Sequence, residues 1–464
     1  MNIDKYNEIK NSYRSIINQL IKSQRTIEKK SKELIDHPIT INLPKDYVDF
    51  EISFLTDTVY SICIFDLDNT LVETDIFETD REKSRNNCLE LDKFIQKLSS
   101  SRYKIFFTEQ FLLELRQSNP NVKFVIFTRS TSQYAKAILS YIYPNFIWDL
   151  IVTRETVRYT KPNIDGLHFI MKSFNEMDPR RLLIIGDSDV DIKVAYNNNS
   201  ISLFTDWFYL NRKKEHWHAK NLLPDGIITK PEELIEVLKS GVTLPNLEAN
   251  LEVGLRETKK SNTRFDMVSH FFPIDLDSSY ARKPVSISVG GRYFTSAYIS
   301  RGSYHKLTRS ILSNKDSQLF PHEWLVSIRD FIVEKLNQKP NKTIVTVIPH
   351  RPSREPRLEY MLDQLCNFVK NEAIHEEVFF YKDILKFKDG VLSQHNDRLN
   401  KNQRFQNIET HLYVNRPDLV KNMDVIVIDD VVTTGASLMY SSLFLKQAGA
   451  NNVFLFALAK TISK

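Results

Sequence analysis

The chain has 464 residues, 42% of them hydrophobic, which is enough material for two or three domains with cores of their own. Its 63 basic and 58 acidic residues leave a net charge of only +5, too even a balance to indicate a nucleic-acid-binding surface. No run approaches the ~20 apolar residues of a membrane span, and no apolar signal core follows the charged amino terminus. The three cysteines are far apart, so we expect reduced thiols in a cytoplasmic protein without membrane contact.

Residues 1–37 predict an amphipathic helix that Pro38 would end. Its apolar side chains recur at alternating spacings of three and four, a heptad pattern that Ser23 and Lys30 interrupt. Such a helix could pair with a copy of itself, giving a homo-oligomer through residues 6–34, or it could dock on a folded domain of the same chain. The sequence leaves both open. The apolar positions are Tyr6, Ile9, Tyr13, Ile16, Leu20, Ile27 and Leu34.

The next element is an apolar run, Val59 to Phe65, which predicts a buried strand. Asp66 and Asp68 follow it directly and would leave the strand on one side, because side chains alternate along a strand. Two carboxylates held together repel unless a cation or a proton lies between them. A divalent metal is the expected solution, with Asp66 able to attack an electrophile and Asp68 able to act as general acid and base.

Three further segments follow in a characteristic order. The apolar run Val122 to Phe127 ends at Thr128, and Lys161 lies in a Thr-Lys-Pro segment. A third run, Leu182 to Ile185, leads into the sequence Gly-Asp-Ser-Asp-Val-Asp from residue 186 to residue 191. This order of strands and polar residues resembles that of the haloacid dehalogenase superfamily of phosphohydrolases.

The resemblance implies an aspartyl-phosphate mechanism. Asp66 would be the nucleophile, and Asp68 would protonate the leaving oxygen and later activate water. Thr128 and Lys161 would hold the phosphoryl oxygens. Members of the superfamily choose substrates through cap insertions. Here the stretch from residue 75 to residue 118 leaves room for little beyond one helical excursion, so we expect a small cap and an open site.

The resemblance also implies a Mg²⁺ site. Its ligands would be Asp66, the backbone carbonyl of Asp68, Asp187 and Asp191, since oxygen ligands suit a hard cation. Asp189 does not fit the pattern, because only the first and last acids of its segment do.

A second signature lies near the carboxyl terminus. The apolar strand Val425 to Ile428 is followed by Asp429 and Asp430 and then by small and hydroxylated residues that lead into a helix. Such a turn can present backbone N–H groups to a phosphate, and the two acids suit the hydroxyls of a ribose. This resembles the motif with which type I phosphoribosyltransferases bind 5-phosphoribosyl-1-diphosphate (PRPP). The implied phosphate-loop residues are Thr433, Thr434, Gly435, Ala436 and Ser437.

An earlier strand, Thr343 to Ile348, ends in a basic loop at the place where that family binds the diphosphate. His350 and Arg351 are the expected contacts, and two more arginines follow within the loop. The segments 304–309 and 403–407 look most like the ComF-type branch of the family, although the cysteine-rich ribbon that often precedes that branch is missing. The resemblance therefore implies the fold and the PRPP site, and not a role in DNA uptake.

The sequence thus predicts an α/β protein with two doubly wound Rossmann-like domains, one like haloacid dehalogenases and one like type I phosphoribosyltransferases, preceded by an amino-terminal helix. The expected divisions are 1–37 for the helix, 50–240 for the phosphatase-like domain with its small cap, 241–284 for a linker and 285–464 for the transferase-like domain. The linker is indicated by Pro245, an acidic segment and a polar run.

Two functions are consistent with this organisation. The chain could be a bifunctional enzyme of nucleotide metabolism, in which a Mg²⁺-dependent phosphatase is joined to a phosphoribosyltransferase. Alternatively, the second domain only senses PRPP or a nucleotide and gates the phosphatase. A role in bacterial stress or antiviral defence is a weaker form of this idea. In each case the expected partners are small phosphorylated metabolites such as PRPP and nucleotides.

Overall fold

The computed structural model describes residues 60–207, 214–253, 263–271, 285–338, 341–352, 354–370, 372, 376, 378–392 and 399–463. The chain divides into two compact units, with the boundary between Val242 and Thr243. The helix predicted over residues 1–37 lies outside the described residues, as does Val59. Among the described helices, none combines the length and the apolar composition that crossing a membrane requires.

The first unit is built on a six-stranded parallel sheet in the order β3-β2-β1-β4-β5-β6. The order puts β1 and β4 side by side where the direction of winding reverses, and ligands of such sheets bind beyond the carboxyl ends of the strands at that point. The strands are β1 Ile62–Phe65, β2 Lys123–Phe127, β3 Leu150–Val152, β4 Leu182–Gly186, β5 Ile201–Thr205 and β6 Gly226–Ile228. The helices are α1 Glu78–Arg85, α2 Leu91–Ser100, α3 Glu109–Ser118, α4 Ser132–Ile142, α5 Asp165–Phe174, α6 Asp189–Asn198, α7 Lys214–Asn221 and α8 Glu233–Ser240.

Both faces of this sheet are buried, as a parallel sheet requires. Alternate residues of β1 enter two different hydrophobic clusters: Cys63 and Phe65 pack with α2, α3, α4 and α8, whereas Ile62 and Ile64 pack with α5 and α6. The continuous apolar run of β1 is therefore explained by burial on both sides. Its first polar residues, Asp66 and Asp68, come where the strand leaves the layer.

The segment between β1 and β2 differs from the single helical excursion predicted from the sequence. Two short helices, α1 and α2, precede the crossover helix α3. Phe94 and Leu98 of α2 are buried in the core of the unit itself, and Phe94 stacks on Tyr134 of α4 with ring centroids 5.2 Å apart. The insertion is thus small, as expected, but it contains one helix more than its length suggested.

The second unit contains a mixed seven-stranded sheet in the order β11-β10-β14-β15-β8-β7, with β9 also paired to β15. The strands β7 and β8 pair antiparallel, and the other pairs of this sheet are parallel. Its strands are β7 Asp266–Phe271, β8 Val285–Val289, β9 Arg292–Phe294, β10 Thr343–Val347, β11 Val378–Phe380, β14 Asp424–Val432 and β15 Val453–Ile462, and a two-stranded ribbon is formed by β12 Leu385–Phe387 and β13 Leu412–Val414. The helices are α9 Asn246–Val253, α10 Ile299–Tyr304, α11 Lys306–Ser313, α12 His322–Gln338, α13 Arg357–Val369, α14 Lys401–His411, α15 Pro417–Val420 and α16 Ala436–Gln447.

Part of the stretch predicted as a linker, 241–284, is folded into this second unit. Helix α9 and strand β7 both fall within it, and the unit begins at Thr243 rather than at residue 285. The acidic composition of α9 suggested a solvated connection. Glu248 is nevertheless buried, because Arg292 supplies opposite charge to it inside the unit and His305 Nε2 lies 3.3 Å from its carboxylate.

Candidate functional sites

The first candidate site lies beyond the carboxyl ends of β1 and β4. The Asp66 N–H donates to the carbonyl of Ile185 at 2.9 Å, which keeps the backbone in register with β4 up to Asp66. Lys161 is 3% exposed, and its Nζ lies 2.6 Å from Asp66 Oδ1 and 2.5 Å from Asp191 Oδ1. One buried cation therefore joins two of the predicted carboxylates.

Three buried carboxylates, those of Asp66, Asp187 and Asp191, offer oxygens that lie within 4.8 Å of one another. Asp187 follows β4, and Asp191 lies in the first turn of α6, where its other oxygen accepts from the N–H and the hydroxyl of Ser188. A Cβ built on Gly186 would lie 2.2 Å from Asp191 Cγ, so only glycine permits this approach. An all-oxygen donor set with negative charge in excess of Lys161 fits a hard divalent cation such as Mg²⁺.

Asp189 does not join this cluster. It pairs instead with Lys193, one turn along α6, at 2.5 Å. Asp189 therefore lies outside the group of acids formed by Asp66, Asp187 and Asp191, in agreement with the sequence pattern that it did not fit.

The protonation of Asp66 depends on its surroundings. Burial raises the pKa of Asp66 to about 7; the charge of Lys161 opposes this rise, and those of Asp191 and Asp68 add to it. Burial works against the charge of Lys161, but Asp191 and Asp66 outweigh it and raise the pKa of the lysine. Lys161 is thus charged, and a further cation at the carboxylates would favour the anionic form of Asp66.

Asp68 faces a different set of groups. Its Oδ2 accepts from Ser130 Oγ at 2.6 Å, and its Oδ1 accepts from the Tyr134 hydroxyl at 3.3 Å. Arg81 Nη1 lies 3.8 Å from Oδ2. Sequence reasoning missed these three partners. Ser130 could have been found, since it follows the same strand end as Thr128, but Arg81 and Tyr134 lie on helices and no local signal links them to Asp68.

Thr128 is buried just after β2. Its N–H donates to the carbonyl of Val152 at 2.9 Å, and its hydroxyl oxygen accepts from the Ser130 N–H at 3.1 Å. The structure therefore brings all the predicted residues of this site to one edge of the sheet. They are Asp66, Asp68, Thr128, Lys161, Asp187 and Asp191.

The second candidate site is a cavity of about 740 Å³ in the second unit, lined by the loop that follows β10, the first turn of α13, the end of β14 and Ser437 of α16. The strands β10 and β14 are neighbours at the winding reversal of the sheet, so their carboxyl ends meet there. Five of the predicted PRPP residues line the cavity: His350, Arg351, Asp429, Asp430 and Ser437. Thr433, Thr434, Gly435 and Ala436 are not among the lining residues. The lining also includes Lys315 and Phe387, which the sequence did not indicate.

Charged side chains that line this cavity pair with one another. Arg357 Nη1 contacts Asp430 Oδ2 at 2.5 Å, and His350 Nδ1 lies 2.8 Å from Glu359 Oε1. Burial, followed by the charge of Asp430, raises the pKa of Asp429 well above its usual range. Gly435 has φ 75°, a left-handed conformation that glycine adopts without strain, and α16 starts directly after it.

Comparison with known proteins gives a family match for the segment that contains the first site. Residues 61–224 match the family model of NLI interacting factor-like phosphatases. That range contains each of the acidic, threonine and lysine residues described above. The part of the chain that contains the first site is thus similar in sequence to a family of phosphatases.

Several solved structures resemble this chain in part. CbbY from Rhodobacter sphaeroides, solved with phosphate, is 14% identical, with 36% of this chain and 93% of CbbY covered and a TM-score of 0.30. A predicted phosphoglycolate phosphatase from Haemophilus somnus 129PT is 13% identical, with coverages of 39% and 99% and a TM-score of 0.31. A putative beta-phosphoglucomutase from Thermotoga maritima is 19% identical, with coverages of 39% and 98% and a TM-score of 0.29. The comparison with curated proteins gives no match.

Proposed function

We propose that the first unit is a Mg²⁺-dependent phosphomonoester hydrolase that works through an aspartyl-phosphate on Asp66. The observation that carries this proposal is the buried cluster of Asp66, Asp187 and Asp191, joined by Lys161 at the winding reversal of the sheet. The family match over residues 61–224 supports the same class of reaction.

In the first step a carboxylate oxygen of Asp66 attacks the phosphorus of the ester, and the bond from phosphorus to the alcohol oxygen breaks. Asp68 gives its proton to the leaving alkoxide. In the second step Asp68 takes a proton from water, the water oxygen attacks phosphorus, and the acyl-phosphate bond breaks to release inorganic phosphate. Thr128 and Lys161 hold the phosphoryl oxygens during both steps.

The three carboxylates would hold Mg²⁺, which supplies positive charge between the anionic phosphoryl group and the nucleophile. The donor set fits such an ion because all its atoms are oxygens and its negative charge exceeds that of Lys161. The residues of the chain contribute orientation: Ser188 fixes Asp191, and the Thr70 hydroxyl donates to Asp187 Oδ1 at 3.3 Å.

Hydrolysis of para-nitrophenyl phosphate by the full-length protein tests this proposal. Asp66→Asn keeps the shape of the side chain and removes the nucleophilic charge, so the rate should fall by at least ~10³. Asp189→Asn is the matched control, since Asp189 pairs with Lys193 outside the cluster, and it should keep most of the activity. Activity near the parent level in Asp66→Asn would exclude the mechanism, and activity that persists in EDTA would exclude the metal.

For the second unit we propose binding of PRPP at the cavity beside the carboxyl ends of β10 and β14. The supporting observation is that the two acids at the end of β14 and the arginines that follow β10 line one cavity, so that groups suited to a ribose and a diphosphate are neighbours. In the proposed transfer, the bond from the ribose C1 to the diphosphate breaks, and a base or amine bonds to C1. The chain would then be a bifunctional enzyme of nucleotide metabolism, and its alternative is a phosphatase gated by a PRPP or nucleotide sensor.

Calorimetry with PRPP and Mg²⁺ tests the second proposal. The double change Asp429→Ala/Asp430→Ala removes acceptors for the ribose hydroxyls and should weaken binding by about 2–3 kcal/mol. Asp418→Ala, at an acid that pairs with Arg416 elsewhere in the unit, is the control and should bind as the parent does. Wild-type protein that shows no heat of binding at millimolar PRPP would refute the site.

A further inference from the structure

Four arginines, which we call the arginine collar, border the phosphatase site: Arg81, Arg85, Arg129 and Arg154. Two lie one helical turn apart on α1, and the others follow β2 and β3. Arg81 Nη1 is 3.8 Å from Asp68 Oδ2, so the collar starts at the side chain assigned as the general acid.

Buried contacts hold the elements of the collar together. The Thr131 hydroxyl donates to Ser84 Oγ at 2.8 Å and attaches α1 to the loop after β2. The Arg154 N–H donates to the carbonyl of Ser130 at 3.0 Å and attaches the loop after β3 to the same place. Burial, and then the like charges of Arg81, Arg154 and Arg129, lower the pKa of Arg85, as expected for cations held near one another.

The collar has more positive charge than nearby acids neutralise. Arg81 forms ion pairs with Asp68 and, at 3.9 Å, with Glu78. The negative charge of Glu82 also interacts with Arg85.

In the part of the chain that the structure describes, Arg85, Arg129 and Arg154 form no ion pair. The carboxylate of Glu155, next to Arg154 in sequence, accepts instead from the Ser132 N–H at 2.8 Å and from Thr153 Oγ1 at 3.0 Å. The Nε of Arg81 is buried and has no hydrogen-bond partner among the described residues.

The position of the collar indicates which part of a substrate it would meet. Asp66 and Lys161 contact the phosphoryl group that is transferred, whereas Asp68 protonates the oxygen that leaves. Groups next to Asp68 therefore face the alcohol that leaves rather than the transferred phosphoryl group. Guanidinium groups bind phosphate oxygens through paired hydrogen bonds, and several arginines together favour an anion of high charge.

We propose that the arginine collar binds a second phosphate carried by the leaving alcohol, so that the substrate is a small bisphosphate. This inference rests on the proposed phosphatase function of the first unit. The bisphosphate places one phosphate at Asp66 and the other among Arg85, Arg129 and Arg154. A monophosphate fills only the first of these positions.

The experiment measures kcat/KM of the full-length protein, with Mg²⁺ at low salt, for two matched pairs of substrates. One pair is adenosine 3′,5′-bisphosphate with adenosine 5′-monophosphate, and the other is fructose 1,6-bisphosphate with fructose 6-phosphate. In at least one pair the bisphosphate should be preferred by about tenfold or more, and the preference should fall as salt is added. In Arg85→Gln/Arg154→Gln the ratio within that pair should approach one.

The control is Lys172→Gln/Lys239→Gln, which removes the same two charges from the last turns of α5 and α8 and should keep the parent ratio. Equal kcat/KM for both members of both pairs would overturn the collar and leave the phosphatase intact. An unchanged preference in the arginine variant would do the same. If no phosphate ester is hydrolysed, the phosphatase proposal fails. Calorimetry of bisphosphate binding by wild type and by the arginine variant then decides whether the collar binds the second phosphate.

Discussion

Lys460, near the end of β15, is a buried cation whose charged form is unfavourable in the folded protein. Burial lowers its pKa from 10.5 to about 8. The folded chain therefore binds this proton less tightly than the unfolded chain does, and stability rises with pH between about 8 and 10.5. Below pH 8 the full cost is present, and the difference between the two pKa values corresponds to roughly 3 kcal/mol.

We therefore expect Lys460→Met to stabilise the second unit at pH 7 by up to about 3 kcal/mol, which corresponds to a rise in Tm of some ~5–10 °C. The gain over wild type should shrink at pH 10, where the lysine of the folded protein is already neutral and most of the cost of its burial is gone. Calorimetric melting of both proteins at the two pH values measures it, and Lys421→Met, at an exposed lysine, is the control. A gain that is the same at both pH values would show that burial of charge is not the cause.

The first site also shows which residues a sequence can predict. Asp66, Thr128 and Asp187 each follow an apolar strand, and parallel strands end at one edge, so their meeting follows from local pattern and fold class. Arg81 and Tyr134 contact Asp68 only because two helices pack beside the strand ends. Such contacts depend on packing between distant parts of the chain, and no spacing in the sequence reports them.

At the scale of the element, α9 is the helix for which amino-acid composition gave the wrong prediction. Its acids indicated a linker, yet Arg292 Nη2 contacts Glu248 Oε2 at 2.5 Å and His305 Nε2 lies 3.3 Å from the same oxygen. Although burial opposes ionisation, the charges of Arg292 and His305 hold the pKa of Glu248 well below its usual range. The segment 304–309 thus contributes His305 to the buried surroundings of Glu248. A run of acids does not reveal which of them will find a buried partner.

We expect Glu248→Ala to destabilise the second unit by about 3–5 kcal/mol, because it leaves the guanidinium of Arg292, which is 1% exposed, without its carboxylate. Glu252→Ala is the matched control on the same helix. Its ion pair with Lys306 is partly exposed, so its loss should cost about 0–1 kcal/mol. Urea unfolding of the three proteins measures both effects. Equal midpoints for Glu248→Ala and wild type would show that α9 is the linker its composition suggested.

On the scale of the whole molecule, the chain carries two units, each with polar residues at the winding reversal of its own sheet. The fold of the first was predictable because β1, β2 and β4 are continuous apolar runs that end in characteristic polar residues. The strand β7 of the second was not, since its six residues Asp-Met-Val-Ser-His-Phe mix polar and apolar side chains. Each described hydrophobic cluster lies within one unit, which favours units that fold and act separately.

Separate catalysts and a gated phosphatase make opposite predictions for one experiment. Coupling requires that PRPP bind two states of the protein unequally and that those states differ in phosphatase rate. For independent units we expect full-length Asp429→Ala/Asp430→Ala to hydrolyse para-nitrophenyl phosphate at the parent rate within about twofold. Millimolar PRPP should change the rate of neither protein except by direct competition at Asp66.

Competition raises KM and leaves kcat unchanged, whereas a gate changes kcat. Initial rates over a range of both ligands separate the two. A kcat that responds to PRPP in wild type and not in the double variant would make the second unit a sensor, because the variant keeps the phosphatase residues and lacks only the acids of the second cavity.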